Sequence, residues 1–427
     1  MDMNTALQEK IRDDVLKTIE INKIEGLIND RSLLLIEMGR LIEKVIEQQN
    51  IYLNSHAQRQ MAEIMADEII GYGPLRPLLE DDSVNDILVN GPYKIFIERR
   101  GKLELTEQKF INNAQLTDIA KRLVQRVGRR LDEGQPLVDA RLPDGSRLNV
   151  AIPPVSLDGT AISIRKFGKS NIELQDLIHF GALSGQMANF LIIAARVRLN
   201  IIISGGTGSG KTTLLNALSK YIDPTERIIT MEDAAELRLM QPHVLRMETR
   251  LAGVENTGQI TMRSLLINSL RMRPDRIIVG ECRGEEAFEM LQAMNTGHDG
   301  SMSTLHANSP RDAISRLENM VMMAGMNIPM ESIRRNIVSA INIVVQVSRL
   351  NDGSRKIMNI SEVMGIEGDR VILQDIFSFA SQSERGEDGK IKGDFINHGI
   401  LMRSAVMHNA VMFDLVDELK QIFGLKE

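Results

Sequence analysis

Along residues 1–66 apolar side chains fall three or four positions apart: Leu7, Ile11, Val15, Leu16 and Ile19, then Leu33, Leu34, Met38, Leu41, Ile42, Val45 and Ile46. That period, uninterrupted by Pro, predicts three amphipathic helices packed as a small bundle. Gly71-Tyr72-Gly73-Pro74-Leu75 breaks the pattern. Short apolar runs at 87–89, 94–97 and 103–105 then read as strands, 117–127 as a helix, and 146–152 and 160–165 as alternating strands around Pro153-Pro154 and the Asp158-Gly159 turn. An α+β domain over 67–170 is expected. Lys166 to Asn171 reads as the joint, and 171–183 as the linker into a final domain over 184–427.

In that last segment the pattern alternates. Apolar runs at 201–204, 228–231, 277–279 and 300–305 are separated by helical stretches, which predicts a mostly parallel sheet covered on both faces. Runs at 341–347, 356–363 and 370–376, with turns such as Asp352-Gly353, predict added antiparallel strands. The polar stretch 381–392 is expected to be a mobile loop, and about the last thirty residues to be closing helices.

Composition narrows the class. With 427 residues, two or three domains are expected, and 43% apolar with 25% charged residues describes a soluble globular chain. No run reaches the roughly 18 apolar residues of a membrane span, and the start, Met1-Asp2-Met3-Asn4, leads into a charged helical pattern rather than a signal peptide. A single cysteine, Cys282, allows no internal disulfide, which suits the cytoplasm, and reads as a packing residue. A net charge of −6 and 4% aromatics argue against nucleic acid as a partner.

The most specific chemistry is Gly205-Gly206-Thr207-Gly208-Ser209-Gly210-Lys211-Thr212-Thr213, which fits the phosphate loop G-x-x-x-x-G-K-S/T. It follows the apolar run Ile201-Ile202-Ile203 and precedes a helical stretch, the context this loop requires. Glycines let backbone N–H groups close around phosphate oxygens, and the helix start adds unpaired donors. Lys211 is placed to meet the β- and γ-phosphates, and Thr212 to hold Mg²⁺. ATP and Mg²⁺ are therefore the expected cofactors.

Two further strands end in acids. Arg276-Ile277-Ile278-Val279-Gly280 delivers Glu281 toward Mg²⁺, and Ile228-Ile229-Thr230-Met231 delivers Glu232 and Asp233, where a carboxylate can deprotonate the attacking water. His298 and His306 flank a short strand, so opposite edges are expected and a shared metal is not; His306, at the carboxyl end, is placed to donate to the γ-phosphate. Catalytic assignments on this reading are Glu232, Glu281 and His306, with Thr212 and Glu281 at the metal.

Together these segments resemble the secretion-ATPase superfamily of type II and type IV secretion and type IV pilus systems, and within it the tight-adherence pilus assembly ATPases. Over residues 70–427, 229–237 is similar to the family's aspartate box, 270–284 to its atypical second ATPase motif, and 297–308 to its histidine box. Ala234 stands where many members have Pro, and the four-cysteine zinc module of some relatives is absent. The resemblance implies a RecA-like P-loop motor domain, a homo-hexameric ring and a preceding α+β domain, itself preceded here by the helical bundle. It also implies that arginines of that α+β domain reach the γ-phosphate; Arg147 and Arg165 occupy the matching positions. Arg271 and Arg273 are weaker candidates for sensing or subunit contact. The implied role is a motor for pilus assembly, pilus retraction or protein secretion, cytoplasmic and peripheral at the inner membrane through a platform protein. A RecA-like helicase or recombinase is the alternative, and a phosphotransferase with the same loop a third.

Overall fold

A computed structural model of the chain describes residues 5–19, 27, 30–99, 102–166, 172–250, 252, 257–325, 327–386 and 389–425. Of the expected joint, residues 167–171 lie outside the described residues. Two compact units emerge, Met1–Lys169 and Ser170–Glu427.

The first unit opens with α1 (Thr5–Thr18), α2 (Arg31–Gln49) and α3 (Ser55–Ile70). Ile11 and Val15 of α1, Leu34, Met38, Ile42 and Val45 of α2, and Met61 and Met65 of α3 form one buried cluster. Asp30 and Asn54 cap the starts of α2 and α3 by accepting backbone N–H groups. Helix α3 passes the expected end at residue 66 and stops at Gly71, whose φ of 90° provides the left-handed cap. A short α4 (Arg76–Glu80) leads into a sheet of β1 (Asp86–Asn90), β2 (Ile95–Arg99), β3 (Lys102–Leu105), β4 (Leu137–Arg141), β5 (Arg147–Ala151) and β6 (Ala161–Arg165), with α5 (Asn113–Arg126) inserted. The strand order is β3-β2-β1-β6-β5-β4, with every pair antiparallel. Helix α5 begins at Asn113, earlier than the expected 117, because Asn112 caps it. A buried network joins helices: Arg12 Nε donates to Glu68 Oε1 at 2.9 Å, and Gln115 Nε2 donates to Glu68 Oε2 at 2.6 Å.

The second unit is a nine-stranded sheet flanked by helices. Its elements are α6 (Leu174–His179), α7 (Gly185–Arg196), β7 (Ile201–Gly205), α8 (Lys211–Ser219), β8 (Ile228–Glu232), β9 (Val244–Glu248), α9 (Met262–Ser269), β10 (Arg276–Val279), α10 (Glu286–Asn295), β11 (Met302–Leu305), α11 (Pro310–Met323), α12 (Met330–Ala340), β12 (Ile343–Arg349), β13 (Arg355–Glu367), β14 (Arg370–Arg385), β15 (Ile391–Asn397), α13 (Ala405–Met412) and α14 (Val416–Phe423). The order is β15-β14-β13-β12-β7-β11-β10-β8-β9. Alternate residues of each buried strand feed opposite faces: Ile201 and Ile203 join one core while Ile202 joins the other, and Ile278 is likewise separated from Ile277 and Val279.

Two expectations change here. Strand β12 pairs in parallel with β7 and only its other edge is antiparallel, to β13. The polar stretch 381–392 is not wholly a loop: β14 continues to Arg385 and β15 starts at Ile391, because ladder hydrogen bonds there need no apolar side chains.

Candidate active site

Strands β12, β7, β11, β10 and β8 run parallel, so their carboxyl ends share one edge, the place where open α/β sheets bind ligands. The phosphate loop leaves β7 there and enters α8 at Lys211. Gly208 and Gly210 have φ of 69° and 100°. Gly205 is fixed by space: a Cβ on it would lie 2.3 Å from the Val347 carbonyl oxygen and 2.6 Å from Ser209 Oγ.

Lys211 is buried, and its Nζ donates to the carbonyl oxygens of Gly205 at 3.1 Å and Gly206 at 3.0 Å. No carboxylate forms an ion pair with it among the described residues. Burial lowers its pKa, with Glu281 pulling the other way. Ser209 Oγ is buried with no hydrogen-bond partner. A buried ammonium and an orphaned hydroxyl in a ring of backbone N–H groups fit the phosphates of a nucleotide.

Glu232, the last residue of β8, is 3% exposed. Its Oε1 accepts N–H groups of Glu236 at 2.8 Å and Leu237 at 2.9 Å, while Oε2 is buried without a partner. Burial lifts its pKa to about 7 against the pull of those two N–H groups. Gly280 makes room for it, since a Cβ there would lie 2.6 Å from Glu232 Cγ.

Glu281 follows β10. His306 Nε2 lies 2.7 Å from its Oε1, and Arg283 Nε donates to its Oε2 at 2.8 Å. Arg283 also reaches Asp233 Oδ2 through Nη1 at 3.2 Å. Burial lowers the His306 pKa, reinforced by the charge of Lys211 and opposed by Glu281. Thr212, in the first turn of α8, and Glu281 offer the hard oxygen donors that suit Mg²⁺, which would neutralise charge on the phosphates.

The edge thus brings together the loop from Gly205 to Thr213 with Glu232, Glu281 and His306. Arg147 and Arg165 belong to the first unit, as direct partners across β5 and β6. There Arg147 Nη2 donates to Asp139 at 3.3 Å and Arg165 Nε to Asp86 at 3.1 Å. Arg271 and Arg273 precede β10 and His298 precedes β11, so all three sit at the amino ends of their strands, at the sheet edge away from the loop. Among the described residues no His/Cys/Asp/Glu group is arranged to hold a metal by itself. Cys282 is buried and its thiol pKa is pushed well up by burial, as befits packing.

Two arginines at the site had been given no role. Arg283 bridges Glu281 and Asp233, and its position two residues after Glu281 was the available signal. Arg355, on β13, donates from Nε to the Gly208 carbonyl oxygen at 3.0 Å across 147 residues of sequence, a pairing no local pattern announces.

A phosphate loop at a parallel sheet edge, with strand-end acids beside it, defines a P-loop ATPase of RecA-like fold. Residues 68–389 match the family described as Type II/IV secretion system protein, and the chain belongs to that family. It is 36% identical over 311 residues to a putative conjugal transfer protein of Mycobacterium tuberculosis, covering 71% of this chain and 88% of that one. It is 30% identical over 347 residues to the type IV secretion system protein VirB11 of Bartonella quintana, covering 72% and 96%. In structure it is similar to the ATPase DotB of Yersinia pseudotuberculosis, with a TM-score of 0.51, 16% identity and coverage of 82% and 85%. The chain is an ATPase of the type II/IV secretion class. No helix among the described residues is long and apolar enough to cross a membrane.

Proposed function

We propose that the chain is a homo-hexameric motor that hydrolyses MgATP to drive pilus assembly, pilus retraction or protein secretion, working peripherally at the inner membrane through a platform protein. The observation that carries the chemistry is Glu232: a buried carboxyl with one unpaired oxygen and a pKa of about 7, at the edge that holds the phosphate loop. In this reading Glu232 takes the proton from the attacking water, and Lys211 with loop N–H groups binds the phosphates. Glu281 and Thr212 hold Mg²⁺, and His306 donates to the γ-phosphate. Arg147 and Arg165 balance charge on that phosphate. The resemblance of 229–237, 270–284 and 297–308 to family motifs supports these roles, and the named relatives in conjugation and type IV secretion support the membrane-system setting.

Purified chain is expected to hydrolyse ATP only with Mg²⁺, to run as a hexamer in light scattering, and to co-purify with a polytopic membrane protein encoded beside it. ATPase activity stimulated by single-stranded DNA, with no such co-purification, would point instead to a nucleic-acid motor.

A further inference from the structure

The turn between β12 and β13 lies against the outside of the phosphate loop. Arg355 opens β13 there, with Nε donating to Gly208 O at 3.0 Å. Its Cδ is 3.4 Å from where a Cβ on Gly210 would stand, so the side chain spans the loop from Gly208 to Gly210.

This contact has a consequence for the next donor. A trans peptide places its carbonyl oxygen and the following N–H on opposite sides. With Gly208 O held outward by the guanidinium, the Ser209 N–H is turned inward, where its acceptor is Gly206 O at a long 3.4 Å. An N–H so weakly engaged is available to a phosphate oxygen.

The arginine is itself braced. Asp352 Oδ1 accepts the Ser354 N–H at 2.9 Å and the Ser354 hydroxyl at 2.7 Å, while Oδ2 accepts the Ile391 N–H of β15 at 2.6 Å. Burial opposes ionisation of Asp352, but these donors outweigh it and hold its carboxyl down at about 2. Leu350 and Ser354 close the turn by a 2.8 Å backbone bond. Contacts therefore run from β15 through Asp352 to Ser354, the residue before Arg355, and from Arg355 to the loop.

We propose that Arg355 is a positioning residue of the phosphate loop: it orients the Gly208–Ser209 peptide so that the Ser209 N–H faces the nucleotide phosphates, and Asp352 with β15 holds it in place. This rests on the nucleotide-binding reading of the loop. Because it acts on a donor offered to phosphates common to ADP and ATP, it sets nucleotide affinity rather than the rate of the chemical step.

The test is nucleotide titration of the full chain with a fluorescent ADP and a slowly hydrolysed ATP analogue. Wild type binding neither would defeat the nucleotide reading itself. With wild type binding, Arg355→Ala is expected to raise Kd for both by about tenfold together, the loss of one charge-assisted hydrogen bond, while kcat at saturating ATP changes by less than about twofold. Low millimolar guanidinium should restore much of the affinity of Arg355→Ala and leave the wild-type affinity unchanged. Arg355→Lys, which keeps the charge on a single ammonium nitrogen without the planar guanidinium, should fall between. Asp352→Asn keeps Arg355 and should raise Kd a few-fold, with no further rise when added to Arg355→Ala. Unchanged Kd in Arg355→Ala, or a rise that guanidinium does not reverse, overturns the assignment. Should Arg355→Ala not fold, wild-type affinity in both Arg355→Lys and Asp352→Asn overturns it.

Discussion

Lys211 and Glu232 are residues whose surroundings only a ligand completes. The Lys211 ammonium is buried against two carbonyl oxygens with no ion-pair partner among the described residues. Phosphoryl transfer depends almost wholly on positioning and electrostatics, so Lys211→Ala is expected to cut ATP hydrolysis by about a thousandfold while circular dichroism stays that of wild type; a variant keeping a tenth of the activity would remove Lys211 from the phosphates. Glu232 makes a pH-dependent prediction. Its folded pKa of about 7 lies above the ordinary 4.5, so between those values the folded state retains a proton that the unfolded state releases, and stability falls as pH rises across that window. Thermal unfolding of wild type should therefore move down from pH 5 to pH 7, and Glu232→Gln should flatten that slope. In its proposed role as base Glu232 must be ionised to act, so on that proposal kcat/KM should climb through pH 7 in wild type, and the climb should vanish in Glu232→Gln along with most of the turnover.

At the scale of elements, the amino ends of the strands are clamped opposite the active edge. Arg276 is fully buried at the start of β10, where it pairs with Glu226 before β8 through Nε at 2.5 Å and Nη2 at 3.0 Å. Its Nη1 donates to Ala195 O at the end of α7 and to Gly300 O before β11. Removing one member of a buried pair leaves an uncompensated charge, so Glu226→Ala is expected to cost about 3 kcal/mol in urea unfolding. Gly300→Ala should also destabilise, since its φ is 83° and a Cβ would sit 2.5 Å from Arg276 Nη1. A midpoint unchanged in either variant would mean the clamp carries no stability. The elements this clamp orders were readable where sequence is apolar: 201–204, 228–231 and 277–279 are unbroken buried runs, and buried strands need no alternation. Strands β4 and β9 lie at sheet edges with mixed side chains, and neither was legible. The parallel pairing of β12 with β7 was hidden as well, because local periodicity records a strand but not its distant partner. The site followed the same division. Loop, Glu232, Glu281 and His306 follow from strand ends, whereas Arg355 at Gly208 is set by tertiary contact alone.

For the whole molecule, the question is how hydrolysis becomes motion. Arg147 and Arg165 face one another across β5 and β6 in the unit Met1–Lys169, and the phosphate loop lies in Ser170–Glu427. Each arginine has a carboxylate partner within its own unit, Asp139 and Asp86, with side chains 47% and 64% exposed. Exposed pairs of this kind contribute little, about 0 to 1 kcal/mol, and exchange readily for a multiply charged phosphate. A ligand shifts an equilibrium between conformations only by binding them differently. The γ-phosphate is present in ATP and absent from ADP, so arginines that recognise it give ATP a differential hold that ADP lacks. Arg165→Ala is therefore expected to leave ADP affinity within about twofold of wild type and to lower turnover at least tenfold. It should also abolish the difference in small-angle scattering between the ATP-analogue and ADP states. If that difference persists at its wild-type size, Arg165 does not read the γ-phosphate, and the motor must couple its stroke to hydrolysis through other groups.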